Sequence, residues 1–259
     1  MTALKRVWLV PLVLVVWEVA TRIMADTDFP PPTTIVARMH ELWFSGPATR
    51  LFLTDDAIGN VLPSLGRMLT GWILAAVLGV ILGVVIGRSR TASDYVEPLI
   101  QFGRVIPPPL LLPLLMVLLH AGLAMQIAAI VLGVVWPVLL NSIDGARAVD
   151  RTHTETAIVF GLTRAQQLRN VVIPAAAPKI FAGLRLSLSL ALILMVISEL
   201  FGSSDGIGYQ LLQAQRGFDT PGVWGAIALL GLLGYLVNGL FTVAERRLLV
   251  WHHHARRTL

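Results

Sequence analysis

Six long apolar runs dominate this sequence, at residues 7–24, 63–87, 98–119, 122–140, 180–202 and 222–243. A run of about 20 mostly apolar residues can cross the hydrocarbon core of a bilayer as a helix. Helix is also the form it must take there, because every backbone polar group has to be satisfied inside the segment. The expected fold class is therefore all-α, a polytopic membrane protein of about six transmembrane helices. Composition agrees: 56% of residues are hydrophobic, 14% are charged and the mean hydropathy is +0.75, well away from the balance of a soluble domain. The first run follows Lys5 and Arg6 and reads either as a retained helix or as the apolar part of a signal peptide. Its flank of Glu18, Thr21, Arg22 and Met24 lacks a clean small-residue cleavage site, which favours the retained helix.

The formal net charge is +5, but the basic residues sit between apolar runs, so membrane lipid rather than nucleic acid is the expected contact. With the N-terminus in the cytoplasm, six spans place Lys5, Arg6, Arg88, Arg90, Arg147, Arg151, Arg164, Arg169, Lys179, Arg246, Arg247, Arg256 and Arg257 inside. That is thirteen of the 20 lysines and arginines, an asymmetry that puts both termini in the cytoplasm. Residues 25–62 open with Pro30-Pro31-Pro32 and carry Ile35, Val36, Met39, Leu42 and Trp43 at helical spacing. This stretch reads as an extended lead-in and an amphipathic helix on the outer surface. Organisation follows from these divisions: 1–62 as a first helix plus outer segment, 63–250 as a five-helix core, and 251–259 as a cytoplasmic tail.

Within the spans, Gly71, Ala75, Gly79, Gly83 and Gly87 put a small residue at every fourth position of the second run. Such a stripe lets another helix approach closely, where van der Waals contact replaces the hydrophobic drive that lipid removes. Pro107, Pro108, Pro109 and Pro113 in the third run remove backbone donors and must kink or break it. Freed carbonyls are tolerated in a membrane where they line a cavity or are covered by protein, so Pro107 and Pro108 are candidates for a pathway wall. Asn141 is a further candidate. Arg104 and Glu199 either face the bundle interior as pathway groups or snorkel from helix ends to the interface.

The segment 144–179 is too long and too patterned for a passive connection. Thr152 and Glu155 have capping-box spacing for a short helix, Gly161 stands where a left-handed C-terminal residue is needed, and Thr163 with Gln166 repeats the box. Pro174 and Pro178 are expected to stop the second helix. The result is helix, glycine turn, helix, with Ala157, Ile158, Phe160 and Leu168 free to pack. It reads either as a knob for another protein's groove or as an ordinary interfacial hairpin in which Glu155 only caps.

Glu155-Thr156-Ala157, then Gly161, then Val171-Val172-Ile173-Pro174 resembles the EAA motif of bacterial ABC importer permeases, with Thr156 in place of an alanine. The likeness extends from about residue 30 to 249 and is greatest to the nitrate, sulfonate and taurine permease group. It includes Leu65 with Arg67 and Gly71, Arg88-Ser89, Arg104 with Ile106-Pro107-Pro108, Gly183 with Arg185, and Glu199 with Gly206-Ile207-Gly208-Tyr209. Pro109 and Leu118-Leu119-His120 depart from the group's pattern.

The resemblance implies a type I importer permease of MetI-like architecture in a bacterial inner membrane. Its partners would be a second permease copy or paralogue, two cytoplasmic ATPase subunits and an extracytoplasmic binding protein. Glu155, Thr156, Ala157, Gly161 and Pro174 would belong to the coupling loop that seats in the ATPase. The cargo it implies is a small organic anion such as a sulfonate, taurine or nitrate, with thiamine-precursor-like heterocycles as the alternative.

No cofactor of this chain's own is expected. A phosphate loop needs Gly-Lys, whereas Lys5 follows leucine and Lys179 follows proline, so ATP and Mg would belong to the partner subunits. The absence of cysteine removes thiolate metal sites and cysteine nucleophiles, and no HExxH or Gly-x-Ser-x-Gly motif suggests an enzyme. The His252-His253-His254 run reads as an interfacial tail in preference to a metal site. An ion-coupled secondary transporter, the rival class, should carry matching broken helices in two halves, and the proline-rich third run has no counterpart.

Overall fold

The computed structural model describes residues 8–24 and 27–250. The helices, in chain order, are α1 (Leu9–Met24), α2 (Pro32–Met39), α3 (Leu62–Arg88), α4 (Arg90–Val105), α5 (Leu112–Leu119), α6 (Leu123–Arg147), α7 (Arg151–Val159), α8 (Arg164–Gln167), α9 (Ile173–Leu200), α10 (Ile207–Arg216) and α11 (Thr220–Leu248). No strand occurs among the described residues.

Four continuous helical stretches are long and apolar enough to cross a membrane: Ala57–Arg88, Leu123–Arg147, Arg164–Leu200 and Thr220–Leu248. A fifth crossing is possible if α4 and the segment Pro108–Leu119, bent by 84°, count as one. The sixth apolar element, α1, has 16 described residues; its expected start at Val7, like the basic residues Lys5, Arg6, Arg256 and Arg257 and the His252–His254 tail, lies outside the described residues.

The proline-rich third run is two helices rather than one kinked span. Ile106 (ψ 115°) and Pro107 (ψ 123°) are extended, because a proline disfavours helical backbone at the residue before it and has no N–H to give the preceding turn. Helix α4 also begins earlier than the apolar run. Ser89 caps it by accepting from the Ala92 amide at 3.2 Å, and Pro98 lies inside it.

The chain forms two compact units. The first comprises residues 1–65 and 203–233. Pro32 and Pro31 start α2, where a missing N–H costs nothing, and the chain continues through a π-turn (His40–Phe44). Its apolar face is buried in protein: Trp43 packs with Ala57, Ile207, Ala226 and Leu229, and its indole N–H donates to Gln210 at 3.1 Å. Arg38 donates to Asp219 at 2.7 Å and to Glu41 at 3.0 Å, and the Asp219 hydrogen bonds, with Glu41 second, raise its pKa.

The second unit comprises residues 66–202 and 234–259. Its core is the seam between α6 and α9. A Cβ added at Gly133 would lie 2.1 Å from Leu194, one at Gly145 would lie 3.0 Å from the Ala176 carbonyl, and one at Gly183 would lie 2.7 Å from Asn141. Helix α3 meets α6 through its glycines: Gly71 lies against Ile130, Gly79 against Val138, Gly83 against Ser142 and Gly87 against Ile143 and Ala146, while Ala75 is fully buried. Contact this close is the association force available between helices in lipid.

Gly83 is the tightest of the four, since an added Cβ would sit 2.4 Å from the Ser142 side chain and 2.8 Å from the Leu139 carbonyl. Gly83→Val should therefore destabilise the protein by about 1–3 kcal/mol or more. Gly231→Ala, where nothing lies within 4 Å, should cost nothing and raise stability slightly, by about 0.4–1 kcal/mol. Thermal unfolding in detergent micelles measures both.

Candidate functional site

Two polar features stand out in a chain so apolar, and the first is the loop between α6 and α9. Asp150 opens α7: its carboxylate accepts from the Thr152 amide at 2.9 Å. The expected capping box at Thr152 and Glu155 is therefore not what starts this helix. An aspartate two residues upstream is an equally favourable cap and sets the first helical residue at Arg151. The Thr152 hydrogen bonds hold the Asp150 carboxyl below its ordinary range.

At its other end α7 closes on Gly161, whose φ is 71°. The Gly161 amide donates to Ile158 at 2.9 Å and the Leu162 amide to Ala157 at 3.0 Å, the pattern of a Schellman motif. Thr163 and Gln166 then form a reciprocal capping box. The prolines do not end this second helix. Short α8 passes through a π-turn (Leu168–Val172) directly into α9, with Pro174 in its first turn and Pro178 inside it. A proline in the first turn needs no N–H partner, so the loop's exit is a rigid extension of a membrane helix.

Of the motif residues, Glu155 and Thr156 are on the exposed face of α7, Ala157 is buried at 5% exposure, and Pro174 lies at the root. That root is packed, with Val172, Ala176 and Ile180 against Val84 and Ala146. The tip is bare: Ile158, Val159 and Phe160 are 59%, 85% and 77% exposed. Three adjacent apolar side chains on a stiff, capped turn form a surface that water disfavours and a protein groove would accept.

The second feature is an ion pair inside the membrane-spanning helices. Arg67 of α3 donates to Glu199 of α9 at 2.8 Å, with side chains 10% and 0% exposed. Glu199 thus faces the interior and does not snorkel. Sequence reading noted Arg67 only through the family resemblance; a lone arginine five residues into an apolar run was the available signal. The register set by Gly71 on Ile130 and Gly79 on Val138 puts Arg67 level with Gln126, whose side chain is buried and whose Oε1 has no hydrogen-bond partner among the described residues.

The remaining candidates are not gathered with that pair. Asn141 donates to the Pro137 carbonyl of its own helix at 2.8 Å and packs at Gly183. Pro107 and Pro108 form the break after α4, and Pro108 also touches the Gly133 position. Arg104 is exposed on the last turn of α4. Among the described residues no group of three or more His, Cys, Asp or Glu side chains could hold a metal ion.

Residues 75–250 match the profile of the family described as binding-protein-dependent transport system inner membrane component. The chain belongs to that family. It is 32% identical to SsuC of Bacillus subtilis (strain 168), a chain named for aliphatic sulfonate transport, over 96% of its own length and 88% of that protein. It is 29% identical to the taurine transport system permease protein TauC of Escherichia coli (strain K12), over 93% and 86%. Its fold is similar to that of a chain of the MetNI methionine ABC transporter in inward-facing conformations, with a TM-score of 0.65 at 20% identity over 73% of this chain and 94% of that one. The chain is therefore an inner-membrane ABC importer permease of MetI-like architecture, and its family is one of transport components.

Removing one member of the buried ion pair should be far worse than removing both. Glu199→Ala leaves a guanidinium without its counter-ion and should cost about 3–5 kcal/mol, whereas the double variant Arg67→Met, Glu199→Leu should recover most of that. Thermal unfolding of the purified permease reads the difference. At the loop, Asp150→Ala should expose the Thr152 amide to faster hydrogen exchange, while Asp150→Asn should keep it protected. Because the Asp150 pKa is lowered in the fold, its stabilising contribution is present above the ordinary carboxylate range and is lost as pH falls through the folded value; the same exchange measurement should show α7 fraying on acidification.

Proposed function

We propose that this chain carries a small organic anion of the sulfonate type across the inner membrane and is driven through its α7–α8 loop by cytoplasmic ATPase subunits. The observation that carries this reading is the exposed Ile158-Val159-Phe160 tip, capped at Asp150 and Gly161 and rooted in α9. Glu155, Thr156 and Ala157 belong to the same helix. A partner that moves this tip moves α9 with it, because α8, the π-turn and α9 form one continuous helical stretch from Arg164 to Leu200. Closure of two ATPase subunits on ATP and Mg would thus become rotation of membrane helices. Each ligand must favour one state for such switching, with about 5.5 kcal/mol of preference needed to invert a 1:99 equilibrium.

The accompanying partners in this reading are a second permease copy or a paralogue, two ATPase subunits and an extracytoplasmic binding protein. Nucleotide binding belongs to the ATPases and no cofactor to this chain. Both termini are cytoplasmic, as the placement of Arg88, Arg90, Arg147, Arg164, Arg169 and Lys179 favours. Sulfonate cargo is supported by the names of SsuC and TauC; nitrate and thiamine-precursor-like heterocycles are the rival cargoes.

In a reconstituted complex, Phe160→Asp should weaken ATPase docking by about 2 kcal/mol or more, since aromatic anchors dominate such contacts. Gly161→Asp, which forces a side chain onto a left-handed residue, should likewise abolish solute-stimulated ATP hydrolysis while the permease still inserts. Full coupled transport by both variants would remove the loop from this role.

A further inference from the structure

Two turns of the first unit hold apolar side chains in a backbone conformation that such residues avoid. Leu51 and Phe52, after the short turn Ala48–Arg50, have φ of 55° and 63°, and Phe218, after α10, has φ of 54°. This left-handed region is glycine's, and a bulky side chain there is an outlier. Backbone hydrogen bonds enforce it. The Gly46 amide donates to the Phe52 carbonyl at 2.8 Å and the Phe52 amide to the Pro47 carbonyl at 3.2 Å. At the end of α10 the Phe218 amide donates to the Gln215 carbonyl at 3.2 Å and the Asp219 amide to the Ala214 carbonyl at 2.9 Å. That is a Schellman motif whose left-handed position falls on phenylalanine although Gly217 stands one residue earlier. The three side chains are 81%, 60% and 92% exposed, so packing within the chain does not repay the strain. Strain kept without local return points to a contact made elsewhere.

Both turns leave the rim of one pocket of about 340 Å³. Leu42 and Trp43 line it just before the first turn, and Ala214 and Asp219 line it on either side of the second. After the first turn the Thr54 amide returns to the Trp43 carbonyl at 3.2 Å, which fixes that turn to the pocket wall. Among the described residues the charged groups of the lining are Asp56 and Asp219, both acidic. The surrounding chain has the same sign: residues 27–62 and 203–219 carry six aspartates and glutamates against three arginines.

That sign decides the occupant. Apolar groups that enter a bilayer surface are accompanied by lysine and arginine, which anionic lipid attracts, whereas Leu51-Phe52 are followed by Asp55-Asp56 and Phe218 by Asp219. A protein surface bearing cations fits instead: its apolar area covers the tips, its charges meet the carboxylates, and such complementarity steers the encounter. In the topology proposed above, these residues precede α3 and α11 on the outer side of the membrane. The family to which the chain belongs is binding-protein-dependent.

We propose that the extracytoplasmic binding protein docks on this rim, with Leu51, Phe52 and Phe218 as apolar anchors and the acidic pocket receiving a lysine or arginine from its surface. The inference rests on reading the chain as an importer fed by a binding protein, and adds the docking surface and the sign of its charge.

The test uses the permease–ATPase complex in phosphatidylcholine nanodiscs and the purified cognate binding protein, with affinity read by biolayer interferometry. Phe52→Gly and Phe218→Gly should each weaken binding about tenfold or more, the scale of a hot-spot anchor. Their thermal stability should hold or rise, because glycine adopts the left-handed conformation without strain. Asp56→Arg should weaken binding, and wild-type affinity should fall as salt is raised. The sequence has no cysteine, so Phe218→Cys carries a single nitroxide label, which should be open to a water-soluble relaxation agent and lose mobility when binding protein is added. The proposal is overturned if both glycine variants bind as wild type does or lose thermal stability along with binding, or if Asp56→Arg or salt changes nothing. A label reached from lipid and not from water also overturns it, since the tip is then a membrane contact. ATP hydrolysis stimulated by limiting, loaded binding protein reports on the transport reading separately. Stimulation undiminished in the variants rejects the docking surface alone, whereas an intact wild-type complex that is never stimulated rejects the transport reading.

Discussion

Close contact between α6 and its neighbours is the constraint on which the second unit depends. In lipid there is no hydrophobic gain from pressing two apolar helices together, so their association rests on contact distance. Gly133, Gly145 and Gly183 set that distance along the α6–α9 seam, and Gly71, Gly79, Gly83 and Gly87 set it along α3. At most of these positions a single added carbon would meet backbone or a buried side chain. The scarce polar and exposed apolar elements are then placed by that packing: Glu199 at one end of α9, the α7–α8 loop at the other.

The two ends of α9 behave differently for a physical reason. Near Glu199 the helix is held by a buried ion pair with Arg67, which is strong only as long as both partners stay desolvated together. Near Pro174 it is continuous with the loop through a π-turn, with Val172, Ala176 and Ile180 packed on α3 and α6. The bare Phe160 tip is thus joined through a packed root to a helix whose far end carries a buried ion pair.

Much of this was legible in the chain itself, and the misreadings share a cause. Gly161 and the Thr163–Gln166 box depend on local backbone geometry, which neighbouring residues dictate, and the sequence pointed to both. Thr152 was preferred as a cap because its spacing to Glu155 is a known pattern, but Asp150 stood two residues earlier and took the position. Pro174 and Pro178 read as helix stops on local grounds; in the fold Pro174 occupies the first turn of α9, where the missing N–H is harmless, and Pro178 is carried inside the same helix. The outer segment read as a surface helix, yet Trp43 is almost wholly buried because α10 and α11 supply a cover that no local pattern announces.

Alone, the sequence determined the solvent, the helical fold class, the small-residue stripe and the family, because hydropathy, four-residue spacing and motif spacing are properties of contiguous residues. Tertiary structure decided which of the scarce polar groups meet. Arg67 and Glu199 lie 132 residues apart and pair at 2.8 Å; Arg104 and Asp144 share one cavity and do not pair. Nothing in the spacing of either couple separates these outcomes, since both depend on the register in which α3, α4, α6 and α9 pack. That register is set by where glycine lets backbones touch.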